Sequence, residues 1–228
     1  MPPERFDVGA VRAISWDVDG TLYSVRRVAS RLRFAMLAAS FRGRAREAWE
    51  AAAELRRFGS QMELVRARGG NITPDDASTE RRIELERRWL SPAIAATGPR
   101  PGVADTLRFV GNQLEFQVAL SDFECGHKLA SLGLSDAFSA TYVGERLGHL
   151  KPSPEPFRRV LRDLGLPPEC LLHIGDRPDT DGAGAKAAGC SVLLLGRDFR
   201  SFTQLRSMFA TGQHPGRASP TDRCGDGP

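Results

Sequence analysis

Residues 11–21 read Val-Arg-Ala-Ile-Ser-Trp-Asp-Val-Asp-Gly-Thr. The apolar run from Val11 to Trp16 stops at two aspartates and a glycine. So short a run, ended by a glycine turn, predicts a buried strand with Asp17 and Asp19 at its carboxyl end. The arrangement recurs downstream. Phe116 to Leu120 is apolar and ends at Ser121-Asp122; Leu171 to Ile174 is apolar and leads into Asp176, Asp179 and Asp181. Ala140–Val143 and Ser191–Leu195 predict two further strands. Between the strands, His127–Leu132, Pro154–Leu164 and Asp181–Ala188 have helical patterns closed by Gly133, Gly165 and Gly189, the usual helix terminators. Alternating strands and helices predict an α/β fold, a doubly wound Rossmann-like parallel sheet. Ligands of such sheets bind beyond the carboxyl ends of the strands.

Residues 25–96 break this alternation. Apolar residues there recur at helical spacing among arginine and glutamate, as in Leu32, Met36, Leu37, Trp49, Ala53 and Leu55. Gly69-Gly70 and Thr73-Pro74-Asp75-Asp76 interrupt the pattern, with Thr73 read as an N-cap before a proline in the first turn. The segment predicts three or four helices and no strand. The chain therefore divides into an α/β core of residues 1–24 and 97–211, an inserted all-helical unit of residues 25–96, and a tail, 212–228. The tail is rich in Gly, Pro, Ser, Asp and Arg and is expected to be disordered.

Composition narrows the function classes. A chain of 228 residues, 41% hydrophobic and 26% charged, is neither wholly disordered nor fibrous and can bury a core. No apolar run approaches the ~20 residues needed to span a bilayer. The opening MPPERFDVGA lacks the pattern of a signal peptide. Four cysteines form no CxxC pair or zinc-spaced cluster, so neither a disulfide framework nor a metal finger is expected. A cytoplasmic location follows as the expectation. The net charge of +4 is uneven: residues 24–100 hold 16 arginines and 9 acids, or +7, leaving −3 elsewhere. Only three lysines occur, Lys128, Lys151 and Lys186, against 29 arginines. With few aromatics and interleaved acids, the basic insert predicts a solvated helical surface and no nucleic-acid site.

The strand ends carry the chemistry. Any single aspartate after a strand could be a helix N-cap. The ordered combination of Asp17-x-Asp19-Gly20-Thr21, Ser121, Lys151 and Gly175-Asp176-x-x-x-x-Asp181 is another matter. Converging carboxylates raise one another's pKa unless a cation holds them. Oxygen-only ligands favour a hard cation such as magnesium. A metal beside a lysine and glycine-rich backbone makes a phosphoryl pocket, and a carboxylate in it can serve as nucleophile.

The ordered set DVDGTL (17–22), ALSD (119–122), Lys151 within LKPSPEPF (150–157) and IGDRPDTD (174–181) resembles the haloacid dehalogenase-like superfamily of phosphohydrolases. The resemblance covers about residues 11 to 196, and the insert resembles that family's α-helical cap of the first type. It implies Asp17 as the nucleophile that becomes an aspartyl phosphate. It implies Asp19 as the acid that protonates the leaving oxygen and then the base for the hydrolytic water. Thr21 and Ser121 match the hydroxyls that support the phosphoryl oxygens, and Lys151 the charge-balancing cation. Magnesium would be held by Asp17, the backbone carbonyl of Asp19, and Asp176. Asp181 would support the metal or hold the lysine, with Asp179 a second candidate. Asp19 is expected to have a pKa raised by burial among carboxylates. Lys128 and Lys186 are expected to be solvated helix residues. The family often has Asn after the serine or threonine of the second motif, where this chain has Asp122, an acid that either disfavours highly charged substrates or points away.

The implied activity is magnesium-dependent hydrolysis of a small phosphorylated metabolite, by a monomer or homodimer, with no nucleic-acid or membrane partner. Asp19 argues against a dehalogenase, which lacks the second aspartate. The absence of lysine before Lys128 argues against a Schiff-base phosphonate hydrolase. A sugar-phosphate mutase and a catalytically inactive scaffold stay as alternatives. Arg26 and Arg27, just after the first motif, are candidates to grip a second anionic group.

Overall fold

A computed structural model of the chain describes residues 8–73 and 75–211. Five parallel strands form one sheet: β1 (Ala13–Trp16), β2 (Phe116–Ser121), β3 (Ala140–Val143), β4 (Leu171–Gly175) and β5 (Ser191–Leu194), in the order β3-β2-β1-β4-β5. β1 pairs with β2 from Ala13↔Phe116 and with β4 from Ala13↔Leu171. The three strands that carry the motifs therefore end side by side. The chain leaves β1 toward one edge and returns to its other side at β4, so Asp17 and Asp176 stand at the switch in strand order, where doubly wound sheets bind ligands.

Alternation along β1 explains the two layers. Ile14 and Trp16 face a core built with α4 (Ser91–Thr97), α5 (Val103–Gly111), α6 (Gly126–Leu132) and α9 (Phe202–Thr211). Ala13, with Val118 and Leu120 of β2, faces α7 (Glu155–Leu164) and α8 (Ala183–Ala187) through Phe157, Val160 and Ala185. Both faces of the sheet are covered, so its strands are apolar runs without a polar face. The sequence pattern located all five strands, α6, α7 and α8. It passed over α5 and α9, whose apolar residues are interrupted by Asp105, Thr106 and Arg108 in the first and by Gln204, Arg206 and Ser207 in the second.

The insert is helical: α1 (Val25–Ala39), α2 (Ala45–Ala67), α3 (Asp76–Leu85) and α4. Ser24 caps α1 by accepting the Arg27 amide hydrogen at 3.4 Å. Asp75, not Thr73, occupies the cap position of α3, and Pro74 lies outside the described residues. Leu32, Met36 and Leu55 pack with Leu85 and Trp89 as expected, whereas Leu37 and Trp49 are exposed. No helix among the described residues is long and apolar enough to cross a membrane. The predicted tail, 212–228, lies outside them.

The insert touches the α/β part where the site forms. Phe58, Met62 and Val65 of α2 pack on Phe123 and Leu150. Gly70 adopts φ +82°, and a Cβ there would lie 2.1 Å from the Leu150 carbonyl oxygen. Only glycine fits such an approach. The Leu150 amide donates to the Gly70 carbonyl at 2.7 Å and the Ile72 amide to that of Gly148 at 3.0 Å, strapping the insert to the loop that carries Lys151.

Candidate active site

Asp17 leaves the end of β1 with its amide donating to the Ile174 carbonyl at 2.8 Å. Its side chain is almost fully buried, and both carboxylate oxygens are engaged. Oδ1 accepts from Lys151 Nζ at 2.5 Å and Oδ2 from the Thr21 hydroxyl at 2.8 Å. Lys151 Nζ also donates to Asp181 Oδ1 at 2.6 Å, so one buried ammonium bridges two carboxylates. Burial disfavours that ammonium, but Asp17 and Asp181 outweigh it and hold Lys151 firmly protonated.

Asp181 is the most fully bonded of the acids. Besides Lys151 it receives the Asp176 and Arg177 amides on Oδ2, at 3.1 and 3.0 Å, and faces His173 Nε2 at 3.2 Å. His173 is wholly buried in β4, with Nδ1 2.9 Å from the Ser15 hydroxyl. Burial dominates its titration and keeps the imidazole neutral. Ser15, His173, Asp181 and Lys151 thus form a chain of contacts beneath Asp17. The sequence reading singled out neither Ser15 nor His173. Their signal was available: two polar residues at matched register inside apolar strands.

One ligand atom each of Asp17, Asp176 and Asp181 lies within 4.8 Å of the others. Burial, then neighbouring carboxylates, push Asp17 well up and Asp176 to about 6, even against Lys151. Acids so placed are short of positive charge, and their donors are oxygen only. This is the donor chemistry of a hard divalent cation such as magnesium. Asp176 approaches closely because residue 20 is glycine: at φ +95°, a Cβ would lie 2.4 Å from Asp176 Oδ2. The Gly20 carbonyl accepts from Arg100 Nη2 at 2.8 Å and Nε at 3.1 Å, which fixes the turn between Asp19 and Thr21. Asp179 does not join the acids. It is exposed and paired with Arg177 at 2.6 Å.

Three expectations change. Lys128 is not a solvated helix residue. It is buried in α6, and its ammonium donates to both oxygens of Asp19, at 2.8 and 3.1 Å. The Tyr23 hydroxyl donates to the same carboxylate. Burial pushes Asp19 up, as expected, but Lys128 and then Tyr23 pull it further down, so its pKa lies below the ordinary value. Lys186 is exposed, as expected. Asp122 neither points away nor lines the rim as a free charge. Its Oδ1 accepts the Lys151 amide at 2.8 Å, and its Oδ2 accepts Arg66 Nη2 at 2.8 Å and Nε at 3.1 Å. Arg66 belongs to α2, so Asp122 ties the insert to the lysine loop.

These side chains surround a cavity of about 680 Å³ between the strand ends and the insert. Asp17, Asp19, Lys151 and Asp176 line its floor side, and Arg26 and Arg66 reach it from the insert. Thr21 and Ser121 are buried; Thr21 donates to Asp17, and Ser121 Oγ accepts the Phe123 amide at 3.4 Å. Arg27 is exposed and is not among the lining residues.

The chain belongs to a known class. A family model for haloacid dehalogenase-like hydrolases matches residues 11–189, and the protein is a member of that family. It is 29% identical over 205 residues to the glyceraldehyde 3-phosphate phosphatase of Methanopyrus kandleri, covering 82% of this chain and 84% of that one. It is 30% identical over 193 residues to the phosphoglycolate phosphatase of Pseudomonas putida, covering 81% of this chain and 70% of that one. The magnesium-bound HAD-hydrolase YfnB of Bacillus subtilis has the same fold, with a TM-score of 0.62 at 18% identity over 87% of this chain and 98% of that one.

Proposed function

We propose that this phosphatase of the haloacid dehalogenase-like family hydrolyses a small-molecule phosphomonoester through an aspartyl phosphate on Asp17. The observation that carries the reading is the buried Lys151 ammonium bridging Asp17 and Asp181 at the floor of a cavity that Asp19 and Asp176 also line. A carboxylate held in that way is oriented and shielded from water, as a nucleophile must be.

In the first half-reaction an Asp17 oxygen bonds to phosphorus while the bond to the ester oxygen breaks and Asp19 gives that oxygen a proton. In the second, water attacks phosphorus and loses a proton to Asp19. Inorganic phosphate leaves, and the Asp17 carboxylate is restored. Lys128 favours the carboxylate form of Asp19, which the second half requires. A phosphoryl group beside it favours the protonated form, which the first half requires. Thr21 orients Asp17, and Ser121 supports the phosphoryl oxygens. Asp17, Asp176 and the Asp19 carbonyl are the proposed magnesium ligands, and the ion when bound supplies charge neutralisation for the phosphoryl oxygens. Asp181 holds Lys151 in place.

The insert, residues 25–96, acts as the cap over this pocket. The relatives named above act on small phosphorylated compounds, and a substrate of that kind suits the cavity. Arg26 at its wall is the candidate for a second anionic group. The test is turnover of p-nitrophenyl phosphate, phosphoglycolate and glyceraldehyde 3-phosphate by purified protein, with magnesium and with chelator. Magnesium-dependent phosphate release that Asp17→Asn abolishes is expected. Release that survives Asp17→Asn in folded protein refutes the assignment.

A further inference from the structure

The mechanism above gives Lys128 no step of its own, yet few charged side chains are as fully enclosed. It is 4% exposed, and its ammonium lies between Asp19 and Glu86, at 2.8 Å and 3.9 Å. Glu86 follows α3 in the insert, so one lysine of the α/β part touches both the acid of the pocket and the insert. The contacts continue outward. Glu86 Oε1 accepts from Arg82 Nη1 at 2.9 Å, and Arg82 also pairs with Glu145, whose Oε1 accepts the Glu124 amide at 2.9 Å. Arg82 is 4% exposed and lies over the Phe58 and Phe123 rings. A row of alternating charge, Asp19, Lys128, Glu86, Arg82 and Glu145, buried from Lys128 onward, thus crosses between insert and core.

Desolvating so many charges is expensive, and an apolar substitute would commonly pack as well. Such a row orients groups more than it stabilises the fold. The group at its inner end is Asp19. That carboxylate is 31% exposed toward the pocket, and Lys128 grips both its oxygens. We propose that Lys128 is a positioning residue for Asp19. By holding the carboxylate from behind and leaning on Glu86, it fixes the direction in which Asp19 meets the leaving oxygen, and it makes that direction depend on the seating of the insert. The proposal rests on Asp19 being the proton donor of the proposed reaction.

A donor out of line costs most where the leaving oxygen is most basic, because an activated leaving group departs with little help. The experiment compares p-nitrophenyl phosphate with phenyl phosphate, which differ little in shape but strongly in leaving-group basicity. Lys128→Met should lose about 3-fold or less in kcat on the first and about 30-fold or more on the second, a partial loss of the roughly 10²–10⁴-fold that general acid catalysis supplies. KM should change little. Lys128→Arg, which keeps a cation against Asp19, should recover part of the loss on phenyl phosphate only. If Lys128→Met does not fold, Glu86→Gln decides. It keeps shape and the contact with Arg82, and should show the same selective loss at roughly 3- to 10-fold, the smaller effect of a group one contact further away. Parallel losses on both substrates, or none, overturn the positioning role while leaving the phosphatase reading intact. A wild-type protein that cleaves neither substrate overturns both.

Discussion

The bond between Asp122 and Arg66 ties the insert to the loop that carries Lys151, and its strength can be measured. Asp122 is 8% and Arg66 16% exposed at the side chain, and two guanidinium N–H groups converge on one carboxylate oxygen. Asp122→Asn keeps an acceptor for the Lys151 amide but turns an N–H toward the guanidinium, donor against donor. The loss should be about 2 kcal/mol, as for a hydrogen bond to a charged group. Arg66→Met keeps the packing over Phe123, whose ring lies 5.4 Å from the guanidinium carbon, but leaves a buried carboxylate with only the Lys151 amide. That should cost about 2–3 kcal/mol, below the usual figure for a fully buried pair because Arg66 is not fully buried. Its second partner, Glu63 at 2.7 Å, is more than half exposed and adds little. The double variant faces a neutral amide with an apolar chain and should lose only about 2–3 kcal/mol in all, so the coupling is about 2 kcal/mol. Urea unfolding followed by circular dichroism, analysed as a double-mutant cycle, gives the number. Additivity to within about 0.5 kcal/mol would show that the two residues do not act as a pair, and the link between insert and lysine loop would have to be sought elsewhere.

Three further outcomes follow from the same geometry. Magnesium at about 100 times its dissociation constant should add about 2.7 kcal/mol, and so raise the melting temperature by about 5–10 °C. Asp176→Asn should abolish most of that rise; an unchanged rise in differential scanning fluorimetry would place the ion elsewhere. Gly20→Ala forces a Cβ to within 2.4 Å of Asp176 Oδ2 at φ +95°. It should cost more than about 1 kcal/mol and blunt the magnesium response, both read from the same melts. His173→Phe removes the contacts with Ser15 and Asp181. It should lower stability by about 2 kcal/mol in urea and slow turnover by misplacing Lys151, so unaltered turnover would detach His173 from the site.

Most parts of this site that the sequence made legible are fixed by the end of a strand. Asp17, Ser121 and Asp176 follow apolar runs directly, so once the sheet is parallel their convergence is a matter of register. Lys151 was marked by a loop motif and by its rarity among 29 arginines. The same rarity applied to Lys128, and only the reading of α6 as an ordinary solvated helix set it aside. Its role is tertiary. The first turn of α6 passes beside Asp19, and the residues that close over it, Glu86 and Arg82, come from a part of the chain some forty residues earlier whose packing no local pattern reports. Asp122 and Arg66, 56 positions apart, show the same limit from the other side. An aspartate where the family often has asparagine looked like a surplus charge because its partner could not be seen. Both cases place the unforeseen chemistry at the contact between insert and core. Strand-end motifs place the groups proposed to react, while long-range ion pairs are the contacts proposed to aim them. Within a family whose members share the motifs, the second set is therefore where this chain's own specificity should be sought. Asp122→Asn with Arg66→Met, and Lys128→Met beside Glu86→Gln, probe it from two independent contacts.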